Sequence, residues 1–236
     1  MDLRVKRYEL KYYINDLDSV VLAKRLSEIL KRDAFAKKKR GYFIRSLYFD
    51  SFDDEALFDK QSGDLKRAKY RMRIYDFNSK EVKFEIKHKI NNQIYKESAI
   101  ISRESAYRVI DGDYFELLKY NNKILNKIYI KFTTSLYRPK VIIDYIRDAY
   151  IFDFFNLRIT LDRDVRSNNE DFDLFSKDLH TVPVILEGKQ ILEVKYENLL
   201  PSFVKEALSG FALERQAISK YTLGRRFLKM SSWEDN

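Results

Sequence analysis

The sequence contains no cysteine, which excludes disulfides and thiolate metal sites and makes a reducing compartment the simpler setting. Its 2 histidines, His88 and His180, are too few and too far apart along the chain to found a histidine-based metal site. With only 6 glycines and 3 prolines, linkers are scarce and the elements should be long. Ser/Gly-rich hinges, low-complexity tracts and internal repeats are absent, so one domain over residues 1–236 is expected. No charge-free apolar run approaches the length of a membrane span; the greasiest segment, Tyr150 to Leu157, is too short and contains Asp153. The start, Met1 to Arg4, lacks the apolar core of a signal peptide. A soluble, cytoplasmic protein is expected, with any membrane association peripheral or made through a membrane-protein partner. Neither Gly-x-x-x-x-Gly-Lys-Ser/Thr nor Gly-x-Gly-x-x-Gly occurs, which argues against P-loop and dinucleotide-binding folds.

What is present suits a folded domain: 45% of residues are hydrophobic and 15% aromatic, too much apolar bulk for a disordered chain. The balance of 45 Lys+Arg against 36 Asp+Glu gives a net charge of +9. That excess points to an anionic partner: nucleic acid, a membrane surface or a phosphorylated small molecule.

Charged and apolar residues alternate over 7–14, which predicts a strand, and 42–50 reads as a second strand. Between them, Asp18 or Ser19 can cap a helix running to about Lys31, and a short helix over Phe52–Gln61 should end at Ser62–Gly63. The clearest patterning follows. Residues 67–76 set Arg67, Lys69, Arg71 and Arg73 on one face and Ala68, Tyr70, Met72 and Ile74 on the other. Residues 81–89 set Glu81, Lys83, Glu85, Lys87 and Lys89 against Val82, Phe84 and Ile86. A strand near 94–101 completes a meander, and 103–128 looks helical apart from a break at 111–113. Further strands are expected at 140–150, 156–163 and 190–196, and helices at 202–215 and 218–230. The sum is an α+β arrangement of about eight strands in a mostly antiparallel sheet.

A sheet patterned in this way ordinarily turns its charged face to water. Here the pattern recurs in Arg7/Glu9/Lys11, Lys69/Arg71/Arg73, Glu85/Lys87/Lys89, Arg158/Thr160/Asp162 and Glu193/Lys195. Closing the sheet into an eight-stranded barrel, charges inward and helices outside, would accommodate all of these and leave room for one small ligand. Inward cations without counter-charge are costly when desolvated, so such a lumen should be wet and hold an anion.

Several segments, in order, carry a resemblance to a known family: Arg7–Tyr12 (RYELKY), Arg45–Asp50 (RSLYFD), Lys69–Tyr75 (KYRMRIY), Phe84–Lys89 (FEIKHK), Tyr145–Arg147 (YIR), Leu157–Asp162 (LRITLD), Ile191–Tyr196 (ILEVKY) and Ser219–Tyr221 (SKY). Together the chain resembles the VTC domain, the polyphosphate-polymerase branch of the triphosphate tunnel metalloenzymes. The resemblance implies an eight-stranded antiparallel β-barrel tunnel that binds the triphosphate of ATP or another nucleoside triphosphate with a divalent metal, Mn2+ or Mg2+. It further implies phosphate ligands at Lys11, Arg71, Arg73, Lys87, Lys96, Arg147, Arg158 and Lys220, and a metal-binding glutamate at Glu193. Tyr145 and Ser219 also fall on motif positions near the phosphates, with Glu9 and Lys195 in supporting places. Arg7 stands where the triphosphatase branches carry a glutamate, which favours the polymerase-like branch.

The implied reaction passes the γ-phosphate of ATP to inorganic phosphate or a growing polyphosphate end. Hydrolysis stays open, since Glu9, Glu85 or Asp162 could orient water. So does a catalytically silent polyphosphate or inositol-polyphosphate binder. Arg158 with Asp162, and Glu193 with Lys195, could alternatively be exposed ion pairs, Ser219 could simply cap the last helix, and the basic run Lys37–Arg40 reads as a solvated loop or collector of anions. No recognised nucleic-acid motif occurs, and no specific nucleic acid is expected as a partner.

Overall fold

The computed structural model describes residues 7–36, 41–91 and 93–231, so the basic run Lys37–Arg40 lies outside the described residues. Along the chain come β1 (Arg7–Asn15), α1 (Asp16–Ile29), β2 (Lys31–Arg32), β3 (Tyr42–Asp50), α2 (Glu55–Ser62), β4 (Lys66–Ile74), β5 (Glu81–Ile90) and β6 (Gln93–Ser102). Then follow α3 (Arg103–Ile110), α4 (Lys123–Thr134), β7 (Arg138–Phe152), β8 (Leu157–Asn168), β9 (Val182–Pro183), β10 (Lys189–Glu197), α5 (Ser202–Leu208) and α6 (Lys220–Ser231). The strands form one sheet in the order β1-β10-β8-β7-β3-β4-β5-β6, with β2 beside β7 and β9 beside β8. The eight strands of the path are those read from the sequence. The other two have two residues each, too few for any period to register.

Local details correct several expectations. The α1 helix is capped by Asn15, whose side chain accepts from the Asp18 amide; neither Asp18 nor Ser19 is the cap. The α2 helix begins at Glu55 and ends, as expected, on a left-handed Gly63. The helical stretch after residue 103 is three pieces, α3, a 3-10 turn at Tyr114–Tyr120, and α4 capped by Asn122. The helix expected over 202–215 stops at Leu208, with Ser209 already extended and Gly210 at φ +81°.

The chain divides into two compact units. One comprises Met1–Phe43, Tyr145–Val165 and Ile185–Ser219; the other comprises Ile44–Asp144, Arg166–Val184 and Lys220–Asn236. Each has its own core. In the first, Ile14, Leu22, Leu26, Leu157, Ile159, Leu161, Leu192 and Val194 pack with Val204 and Ala207, joining α1 and α5 to the apolar face of β1, β10 and β8. In the second, Met72, Ile74, Val82, Phe84 and Ile86 meet Ala106, Val109, Leu125, Ile128 and Phe132 from α3 and α4. Phe132 is the hub, its ring 5.0–5.8 Å from those of Tyr137, Phe49, Tyr114, Tyr70 and Phe84. Phe132→Ala should cost about 3–5 kcal/mol through lost transfer energy and a residual cavity. A denaturant midpoint unchanged from wild type would contradict that packing.

Within the second unit α6 takes the opposite, charged side of the sheet. Tyr221 lies 5.4 Å from the Tyr48 ring and beneath Lys69, and Gly224 sits against Val141, Ile143 and Ser167. A Cβ on Gly224 would stand 2.4 Å from Ile143 Cδ1 and 3.0 Å from Val141 Cγ2. Alanine in a helix normally gains about 1 kcal/mol over glycine. Overpacking of about 1–3 kcal/mol outweighs it here, so Gly224→Ala should lower the thermal midpoint. A raised midpoint would show that α6 stands off the sheet.

Candidate phosphate-binding site

The charged face of β4, β5 and β6 is only partly solvated. Glu85 is 1% and Arg73 7% exposed, although the other face of the same strands already lies in the aromatic core. Register places Lys69, Lys87 and Lys96 abreast across the three strands, and sets Arg71 opposite Glu85 in the next row. Arg71 Nε donates to Glu85 Oε2 at 2.7 Å, Lys96 Nζ to Oε1 at 2.9 Å, and Arg73 Nη1 stands 3.9 Å from Oε2. Burial alone would raise the Glu85 carboxyl, but Arg71, Arg73 and Lys96 outweigh it and hold it down at about 2.

The β3 strand supplies the neighbouring side chains. Ser46 is opposite Arg73 and accepts its Nε at 3.0 Å; Tyr48 is opposite Arg71 and accepts from Nη1 at 3.1 Å. Burial pushes the Tyr48 phenol up, but the charges of Arg71, Arg73 and Lys220 prevail and keep it below the ordinary tyrosine value. Further along, buried Asp50 accepts the amides of Ala56 and Leu57 and the Tyr221 hydroxyl, tying α2 and the start of α6 to the end of β3. Arg225 bonds Asp54 at 2.7 Å, and Lys140 stands 2.9 Å from the same carboxylate. Arg45 belongs to the other face: it is buried, doubly bonded to Asp144 at 2.7 and 2.8 Å.

The first unit builds a second polar cluster. Lys11 faces Glu193 across β1 and β10, 4.0 Å apart, and lies 3.0 Å from Glu9; its Nζ donates to the Ile218 carbonyl at 3.1 Å. Glu193, 5% exposed, is also paired with Lys195, so the carboxylate end of this pair is buried and its lysine end is half-exposed. Arg147 forks onto Asp162 at 2.6 and 2.7 Å and lies 5.3 Å over the Tyr145 ring. Burial works against its charge, yet Asp162 wins and raises the guanidinium further above its usual value. Asp162 therefore does not pair with Arg158, which instead reaches Asp33 at 2.6 Å and Tyr42 at 3.1 Å. Ser219 immediately precedes α6.

Sequence reading thus missed Tyr48, Ser46, Asp50, Asp33 and Tyr42 as members of these clusters. The first three share the even-numbered face of β3 inside the quoted segment RSLYFD, a signal that was available. Asp33 and Tyr42 offered none.

The family model of the VTC domain matches residues 6–229. The chain belongs to the VTC domain family. No curated protein sequence matches this VTC domain. Its fold is similar to that of a candidate adenylyl cyclase from Hippeastrum, HpAC1, reported to have a dominant triphosphatase activity. That likeness has TM-score 0.56 at 14% identity and covers 93% of this chain and 96% of that one. A candidate adenylate cyclase from Bacillus halodurans gives TM-score 0.53 at 12% identity, covering 91% and 95%. The VTC domain is thus an α+β fold built on one large antiparallel sheet. No helix among its described residues is long and apolar enough to cross a membrane.

The residues of the VTC domain fit a divalent cation only as a partial ligand set. Among the described residues no group of three or more His, Cys, Asp or Glu gathers. Glu193 nevertheless faces Thr160, whose buried Oγ1 has no hydrogen-bond partner. Mg2+ and Mn2+ commonly take one or two carboxylates and complete their shell with water and substrate phosphates, a demand this donor set meets.

Glu85 gives a pH test. Its depressed pKa contributes stability that is fully present above the unfolded value, near 4.5, and lost as pH falls towards about 2. Wild type should lose on the order of 2–3 kcal/mol over that window through this group. Glu85→Gln should start less stable and show a flatter acid limb in chemical denaturation. Identical limbs would mean that Glu85 is not held ionised by these cations.

Proposed function

We propose that this VTC domain is a nucleotide-dependent phosphotransferase of the polyphosphate-polymerase kind. One observation supports the reading above all: three lysines abreast, beside two arginines on one buried carboxylate. Like charges directly opposite one another destabilise a sheet. An anionic ligand with several closely spaced charges reverses the sign of that interaction, and a chain of phosphates is such a ligand. Arg71 and Arg73 are spaced about 7 Å apart by strand rise, which suits neighbouring phosphates, and each guanidinium can bind two oxygens. Lys87, Lys96 and Lys220 act as point charges.

The polar cluster of the first unit carries Lys11, Arg147 and Arg158 as further phosphate ligands, with Tyr145, Ser219, Glu9 and Lys195 in support. Glu193 would hold the divalent ion, Mn2+ or Mg2+, which when bound offsets charge on phosphate oxygens. In the reaction an oxygen of inorganic phosphate, or of a polyphosphate end, forms a bond to the γ-phosphorus of ATP. The bond from that phosphorus to the β–γ bridging oxygen breaks, and ADP leaves with the electron pair. The side chains position the phosphates and neutralise charge; no covalent enzyme intermediate is required.

Hydrolysis is the second reading, favoured by the triphosphatase activity reported for HpAC1. Incubation with ATP and Mn2+, resolved on a gel, separates the two. The expected product is a ladder of polyphosphates with ADP. Free phosphate alone would replace the polymerase by a triphosphatase, and unchanged ATP would leave a binding module. The double variant Arg71→Ala/Arg73→Ala should lose at least 100-fold in turnover with circular dichroism retained; full activity would remove this cluster from the site.

A further inference from the structure

We propose that Tyr48 is a further phosphate-contacting residue, donating its hydroxyl to an oxygen that Arg71 also holds. The proposal rests on phosphate binding at the second unit's cluster and adds a ligand to it.

The geometry begins with register. Tyr48 and Arg71 are directly paired on β3 and β4, and Arg71 Nη1 donates to Tyr48 Oη at 3.1 Å while its Nε is taken by Glu85. Two of the donors on the Arg71 fork are thereby fixed, which sets the plane of the guanidinium. A phenol oxygen that accepts from an arginine must point its own hydrogen elsewhere. Among the described hydrogen bonds that hydroxyl donates to no protein acceptor. The ring is held in place by Tyr221 at 5.4 Å and is almost fully buried, so the direction of the hydroxyl is set by the side chains around it.

The surroundings favour an anionic acceptor. The β4 strand presents Lys69, Arg71 and Arg73, with Glu85 behind them on β5. The α6 helix presents Lys220 and Tyr221, the latter bonded to Asp50. On the β7 side, Val141 and Ile143 are apolar and packed on Gly224. A phenol in that company is a stronger hydrogen-bond donor than an ordinary tyrosine, because the nearby cations stabilise charge on its oxygen. Phosphate bound there would counter those cations and set negative charge beside the oxygen. The phenol should then hold its proton more tightly.

Tripolyphosphate binding to the full chain tests this. Tyr48→Phe keeps the ring and removes only the hydroxyl, and should raise Kd about tenfold, the scale of a hydrogen bond to a charged group. Absorbance at 295 nm follows tyrosine ionisation. Of the 17 tyrosines, the one missing from Tyr48→Phe should ionise below the ordinary range, and saturating tripolyphosphate should move it upward. A purely structural role would not produce that movement. If wild type binds and Arg71→Ala weakens binding while Tyr48→Phe changes neither Kd nor the titration, Tyr48 is not a ligand and the phosphate cluster stands. If wild type does not bind tripolyphosphate, both fall together. Should Tyr48→Phe fail to fold, the wild-type titration decides: a low-ionising phenol unmoved by tripolyphosphate overturns the proposal.

Discussion

Burial of charge on the inner rows of β4, β5 and β6 is the constraint from which the rest of this protein follows. Carrying a carboxylate out of water costs several kcal/mol unless it is paired and hydrogen-bonded, and the same holds for each guanidinium. Glu85 meets that demand with Arg71, Arg73 and Lys96, which come from two neighbouring strands. The pairing requires the register of the meander, since a slip of one residue would turn every one of these side chains into the aromatic core. The polar rows and the Phe132 cluster therefore fix each other: the core selects the face, and the face penalises any other register.

Much of this could be read locally. Period-two alternation is written into 67–74 and 81–89 without reference to anything distant, so the strands, their faces and the membership of Arg71, Arg73, Glu85 and Lys87 were legible. The cationic residues nominated with them lie where the two clusters form. Long-range partners were not legible. Nothing near Arg158 says that Asp33, 125 residues earlier, will take its guanidinium, or that Asp162 belongs to Arg147. Helix ends failed for a related reason. Asn15 caps α1 from inside the preceding strand, and α5 stops at Leu208 although apolar residues continue, because Phe211 and Leu213 pack on the first unit's core from an irregular, turning segment.

Arg45 and Tyr48 show how a shared motif divides its labour. They are three residues apart on one strand and so point to opposite faces. Arg45 spends its charge on Asp144 and a backbone carbonyl inside the protein, where removing either partner would strand a buried ion. Tyr48 faces the cations. A reading that treated the segment as a block would place both on one side; the pleat puts only Tyr48 among the cations.

The state of the carboxylates bears on which chemistry the fold can support. A general base for water must be close to its working pH in proton affinity. Glu85, held at about 2 by three cations, is a poor base, and Asp162 is engaged by both arms of the Arg147 fork. Glu9 has Lys11 at 3.0 Å. Each of the three carboxylates that could have oriented water is therefore committed to holding a cation in place. A phosphate acceptor needs no such base, because at neutral pH its attacking oxygen is already anionic. What it needs is relief from repulsion by the phosphates it approaches. On the proposed transfer, cations fixed in rows by buried carboxylates would supply that relief, with the carboxylates acting as anchors for lysine and arginine.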